Sequence, residues 1–90
     1  MNVQYFATFR ELTGERARRI DEPPATLGGL LEALSGRYGA AFRRAVFDGE
    51  RLSAIVIILV NGRSVHFTGG LDTPLSPDDQ VSIFPMVAGG

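Results

Sequence analysis

Two glycines, Gly89 and Gly90, close the sequence behind Phe84-Pro85-Met86-Val87-Ala88. Glycine carries no side chain, so a Gly-Gly end is a thin probe able to enter a narrow active site. Extended, the stretch from Pro85 to Gly90 reaches about 20 Å. The terminal carboxylate is then a substrate for another protein's chemistry, since activation turns it into an acyl donor. A frayed terminus would have the same composition. The position of the pair, directly behind a strand and a stiffening proline, favours the functional reading.

The second candidate is a pair of phenylalanines out of place. Phe6 is the only large apolar residue among Gln4, Phe6 and Thr8, and Phe84 the only one among Gln80, Ser82 and Phe84. If the first and last strands are neighbours, these rings meet on the face away from the helix. Exposed aromatic patches mark partner surfaces. The competing reading is a covering loop, or a strand phase shifted by one residue.

Other constellations point to structure. His66 stands alone, with no cysteine and no carboxylate cluster near it in sequence, and reads as a surface residue and not a base or ligand. Asp72, Asp78 and Asp79 lack the spacing of a calcium loop and read as turn formers. Gly28 and Gly29 open a helix where free N–H groups can hold an anion. Neither a G-x-G-x-x-G nor a G-K-[ST] pattern accompanies them, so the anion reading is the weaker one. Arg16, Arg18 and Arg19 cluster on or beside one strand, where charge protects a sheet edge more often than it binds phosphate. No acid–base pair, triad or metal set remains. The chain is read as a poor candidate for an enzyme acting alone.

Composition narrows the choice further. The chain has 90 residues, enough for one small domain, and 44% are hydrophobic, enough for a core without staples. There is no cysteine, which removes disulfides, thiolate nucleophiles and iron–sulfur clusters. Nine basic and ten acidic residues give a net charge of −1, so no global field draws the protein to nucleic acid or anionic membrane. Every basic residue is arginine, which excludes a Schiff-base or P-loop lysine. The start, Met1-Asn2-Val3-Gln4-Tyr5, lacks the shape of a secretory peptide. The longest apolar run, Ala54 to Val60, is far short of the about 20 residues a membrane helix needs. A cytoplasmic protein is expected.

These groups need elements to position them. Asn2 to Phe9 alternates with period two, placing Val3, Tyr5, Ala7 and Phe9 on one face, and predicts a strand. A turn holding Gly14 and a weaker strand over Ala17 to Asp21 complete a hairpin. Pro23-Pro24 ends it. Thr26 is a helix N-cap, and Leu27, Leu30, Leu31, Leu34 and Tyr38 recur at helical spacing as a core stripe. Gly39 closes that helix. A shorter helix follows over Ala40 to Phe47, then a turn at Asp48-Gly49. The β-branched run Ala54 to Val60 predicts a strand covered on both faces. Asn61-Gly62 predicts a tight turn, and Ser64 to Phe67 a return strand. The last strand is Gln80 to Phe84, with Val81 and Ile83 inward. One main helix crossing a mixed sheet is an α+β roll of the β-grasp type, a single domain over 1–90 with 85–90 as an exposed tail. Its first and last strands lie side by side in the centre.

The pattern resembles the ubiquitin-like sulfur carriers of the molybdopterin-synthase small-subunit (MoaD) and ThiS family. The likeness is carried by Val3-Gln4-Tyr5-Phe6-Ala7 with Arg10-Glu11-Leu12-Thr13-Gly14, by the Thr26-Leu27 helix start, by Leu59-Val60-Asn61-Gly62-Arg63, and by Phe84 to Gly90. The resemblance implies that an E1-like enzyme adenylates the carboxylate of Gly90 with ATP, that sulfur replaces the activated oxygen, and that a second enzyme takes the sulfur from the thiocarboxylate. It implies no bound cofactor or metal. Gly89, Ala88 and Val87 would enter the partner, and Phe84 and Phe6 match positions that meet it in the molybdopterin branch. The partner there is the molybdopterin synthase large subunit. The molybdopterin branch usually has a second proline where this chain has Met86. The stretch Gly62 to Leu75 looks like longer members, which include carriers in cysteine biosynthesis and archaeal-type modifier proteins. Three outcomes follow from the resemblance: sulfur for molybdenum cofactor, sulfur for cysteine or another metabolite, or attachment of Gly90 to target lysines.

Overall fold

The computed structural model describes residues 1–86. Val87, Ala88, Gly89 and Gly90 lie outside the described residues. Strand β1 (Asn2–Tyr5) is followed by helix α1 (Thr8–Thr13), strand β2 (Ala17–Arg19), helix α2 (Leu27–Tyr38) and helix α3 (Ala40–Val46). A small hairpin of β3 (Phe47–Asp48) and β4 (Arg51–Leu52) leads to β5 (Val56–Val60) and β6 (Arg63–Ser64). Helix α4 (Val65–Thr68), a 3-10 turn (Gly70–Asp72) and β7 (Gln80–Pro85) complete the chain. The main sheet has the order β2-β1-β7-β5-β6, with β1 and β7 parallel and the other pairs antiparallel. The first and last strands are therefore neighbours, with β7 in the centre. This is the expected β-grasp roll.

The pleat decides what each face holds. Val3 and Tyr5 of β1, Val56, Ile58 and Val60 of β5, and Val81 and Ile83 of β7 all point to one side and are buried. Leu27, Leu30, Leu31 and Leu34 of α2 and Phe42 and Val46 of α3 fill the same core. The stripe on α2 has the spacing that puts four leucines on one face. Thr26 caps the helix, its Oγ1 accepting from the Gly29 N–H at 3.3 Å. Gly39, at φ 100°, ends it and donates its N–H to Ser35 O at 2.8 Å.

Four local expectations fail. The opening strand stops at Tyr5, because Ala7 turns at φ 52° and starts α1, so Phe9 reaches the core from a helix. The return strand after Asn61-Gly62 is only Arg63–Ser64, and Ser64 then caps α4, accepting from the His66 N–H at 3.3 Å. Val65 is buried while Phe67 is 91% exposed, a split that alternation could not produce. The apolar run is ordered as strand only from Val56. Ala54 and Ile55 precede it exposed, and its outward residues Ile57 and Leu59 are half-buried, not covered. At the other end β7 includes Pro85, which pairs with Val56, so the sheet extends one residue into the stretch read as tail.

Candidate functional site

The outward sides of β7 and β5 carry the candidate surface. Phe84 sits opposite Ile57 in the antiparallel ladder, and Ser82 opposite Leu59. Opposite residues share a face, so Phe84, Ile57 and Leu59 all point away from α2. Phe6, one residue beyond β1, is held by its N–H donating to Ile83 O at 3.1 Å. Its ring stacks on Phe84 with centroids 4.5 Å apart and planes 12° from parallel. Both rings are half-buried, and the phase read from the sequence is correct. The patch continues to Ile55 and Met86, 70% and 50% exposed.

This patch adjoins the root of the terminal segment. Pro85 is paired with Val56, and the Met86 N–H donates to Ile55 O at 2.9 Å. The chain thus leaves the described sheet beside its exposed apolar surface. Val87, Ala88, Gly89 and Gly90, expected to enter the partner, lie outside the described residues.

Two residues assigned no site role from the sequence shape the Phe6 side. Ala7 adopts φ 52° and ψ −127°, a region that favours glycine, and there the chain folds back into α1. One turn on, Arg10 donates from Nε to Tyr5 O at 3.0 Å and sets its guanidinium 5.5 Å from the Phe6 ring centroid. That is within cation–π range. The turn of helix was hidden because a six-residue helix repeats too few apolar positions to show a period.

On the inward side a polar clasp ties the first elements to α2. The Tyr5 hydroxyl donates to the Tyr38 hydroxyl at 3.0 Å, and Tyr38 donates to the Glu15 carboxylate. Arg18 grips the same carboxylate through Nε at 3.0 Å and Nη2 at 2.9 Å. The Arg18 bond, then the Tyr38 bond, hold the Glu15 carboxyl below its ordinary range. Burial, then the bond to Tyr38, push the Tyr5 phenol up. Arg18 therefore belongs to the structure and not to a phosphate site. Arg19 pairs with Asp21 at 2.9 Å on the exposed edge strand.

The remaining candidates resolve as structure. At the start of α2 the Leu27 N–H donates to Thr73 O at 2.9 Å and the Gly29 N–H to Thr26, which leaves little for an anion. The two glycines answer to packing. A Cβ on Gly28 would lie 3.2 Å from Leu71 O, and one on Gly29 would lie 2.9 Å from Pro24 Cβ. His66 is exposed, with its Nε2 3.1 Å from Val56 O. Asp79 accepts from the Asn61 amide at 2.8 Å and from the Ser76 N–H at 2.7 Å, as a turn residue does. Among the described residues no group of three acidic or histidine side chains is placed to hold a metal, and no helix is long and apolar enough to cross a membrane.

Comparison with known proteins sharpens this picture. The ThiS family pattern matches residues 3–90. The chain is 40% identical over 92 residues to the small archaeal modifier protein 3 of Haloferax volcanii, covering 100% of this chain and 98% of that one. It is 32% identical over 93 residues to the molybdopterin synthase sulfur carrier subunit of Escherichia coli, covering 100% and 99%. A chain of the Amycolatopsis orientalis BexX/CysO complex superposes with a TM-score of 0.83 at 28% identity, covering 99% of this chain and 98% of that one. With a β-grasp sheet, an aromatic pair at the root of a Gly-Gly end and a family match across nearly its whole length, this chain belongs to the ThiS family of ubiquitin-like sulfur carriers.

Proposed function

We propose that the chain is a sulfur-carrying cosubstrate whose reacting group is the Gly90 carboxylate. One observation carries the reading: the sheet ends at Pro85 and Met86 directly beside the Phe6–Phe84 stack, so a partner seated on that stack is adjacent to the terminal segment. An E1-like enzyme supplies ATP. A carboxylate oxygen of Gly90 attacks the α-phosphorus, pyrophosphate leaves, and an acyl adenylate forms. A sulfur nucleophile from a sulfide source then attacks the acyl carbon and expels AMP, leaving a thiocarboxylate. Gly89, with Ala88 and Val87, gives the end its narrow cross-section. The chain binds no cofactor of its own on this reading, and the site of the work is the cytoplasm.

The acceptor on the first reading is molybdopterin synthesis, with a synthase large subunit seated on Phe6 and Phe84. The half-buried aromatic pair supports it, since a bare apolar patch is the kind of surface a subunit covers. A second reading, attachment of Gly90 to lysines of other proteins, is favoured by the 40% identity to a modifier protein. With no lysine in its own sequence, such a modifier would attach singly and not build chains through its own side chains. Intact-mass spectrometry after incubation with the E1-like enzyme, ATP and labelled sulfide separates the two. One sulfur in place of one oxygen at Gly90 supports the carrier. Isopeptide products with no thiocarboxylate under any sulfide supply would replace it with the modifier.

A further inference from the structure

Arg10 lies against the candidate surface, and its geometry is constrained from two sides. Its Nε is spent on Tyr5 O at 3.0 Å, and its guanidinium lies 5.5 Å from the Phe6 ring centroid. Phe6 is itself fixed against Phe84. The residue is exposed, and no carboxylate among the described residues pairs with it. With Nε occupied, the two Nη groups remain as a planar fork suited to a carboxylate. A guanidinium already held loses less freedom when it meets one.

We infer that Arg10 is a specificity-determining residue of the partner surface, and that it takes a carboxylate side chain from the adenylating enzyme as that enzyme covers Phe6 and Phe84. The inference rests on the proposed reading of that surface. The adenylating enzyme is the occupant because both outcomes, sulfur carrier and modifier, require activation of Gly90 first. The surface selects by two criteria: an apolar patch to cover the stacked rings, and an acidic group at the Arg10 end. An enzyme with a basic or purely apolar rim there meets an uncompensated guanidinium. The strained Ala7 turn has a place in this arrangement, because it begins the single helical turn that returns Arg10 over Phe6.

The test is ATP–pyrophosphate exchange by the E1-like enzyme of the same cell, with the full chain as varied substrate at low and moderate salt. Arg10→Met keeps an apolar stem over Phe6 and removes the charge. It is expected to raise KM for the chain about tenfold, the usual scale for a charge-assisted hydrogen bond, and to flatten the rise of KM with salt. Arg10→Glu is expected to raise KM further. Thermal melting of each variant confirms that it is folded, and Phe84→Ala is run beside them. Wild-type KM and salt response in both Arg10 variants, with Phe84→Ala impaired, would mean the surface is used without Arg10 and would overturn the inference alone. A higher KM with an unchanged salt response would also overturn it, by reducing Arg10 to packing. Wild-type behaviour in all three variants would remove the surface reading together with the inference.

Discussion

The ring of Phe6 lies stacked on the ring of Phe84, 4.5 Å between centroids and 12° from parallel, although 77 positions separate them (84 minus 6, less one). Parallel pairing of β1 with β7 brings them together, and Phe6 docks one step past the last ladder pair, Tyr5 with Ile83. Both rings stay half-buried, so they add less to the core than a fully enclosed phenylalanine. Phe6→Ala or Phe84→Ala is expected to weaken binding to the activating enzyme by about 1–3 kcal/mol, the scale of an aromatic at the centre of an interface. The accompanying stability loss should stay below the about 3–5 kcal/mol of a buried phenylalanine. Titration calorimetry and denaturant melts on the same variants measure both quantities. Large stability loss with unaltered affinity would place the rings in the core and not in an interface.

Removal of Gly90 separates chemistry from folding. The core residues all lie between Met1 and Ile83, so the truncated chain is expected to melt at the wild-type temperature. It should support no ATP–pyrophosphate exchange, since the shortened end no longer brings its carboxylate to the adenylation site. Full exchange by the truncated chain would end the carrier reading.

The clasp around Glu15 gives stability a pH dependence at both ends. The Glu15 carboxyl titrates below its ordinary value of 4.5 because Arg18, then Tyr38, bond its charged form. A depressed folded value means that this contribution is present above the unfolded value and is lost as pH falls through the folded one. Glu15→Gln is therefore expected to be less stable at neutral pH and to show a shallower loss below about pH 4.5. Tyr5 has the opposite sign. Its phenol is raised above 10.0 by burial first and by the Tyr38 bond second. Its contribution is complete below the unfolded value and fades as pH rises beyond it, so Tyr5→Phe should flatten the decline above about pH 10. Thermal melts across the two ranges read both effects. Identical profiles for wild type and both variants would show that the clasp has no energetic role.

Much of this architecture was readable from residue order, and the failures share a cause. The leucine stripe of α2, the Thr26 cap and the inward phase of Val81 and Ile83 are periodic signals over whole elements, and tertiary packing agrees with them. The terminal Gly-Gly and the out-of-place Phe6 and Phe84 were legible because each breaks its local pattern. Helices α1 and α4 were not legible, being too short to repeat. Phe9 matched the opening alternation by coincidence, and only the positive φ at Ala7 reveals the change of element. Arg10 stood in the sequence only as part of the Arg10-Glu11-Leu12-Thr13-Gly14 stretch, with nothing to mark a contact to Phe6. Its meaning comes from a contact back to Phe6 that exists only once α1 has formed.

Two glycines of α2 test whether packing, and not phosphate binding, accounts for the glycine-rich start of that helix. A methyl group on Gly29 would stand 2.9 Å from Cβ of Pro24, a ring that cannot swing aside, whereas one on Gly36 would meet nothing within 4 Å. The same substitution should thus have opposite signs seven residues apart on one helix (36 minus 29). Gly29→Ala is expected to destabilise by about 1–3 kcal/mol, the range for overpacking. Gly36→Ala should stabilise by about 0.5–1 kcal/mol, because alanine restricts the unfolded chain and favours the helix interior. Denaturant melts give both values. Because Gly29 lies on the helix side of the sheet, away from Phe6 and Phe84, whatever folded Gly29→Ala protein remains should still be activated at Gly90. A gain of stability in Gly29→Ala, coupled to lost activation, would mean that the glycine serves a ligand and not the fit against Pro24.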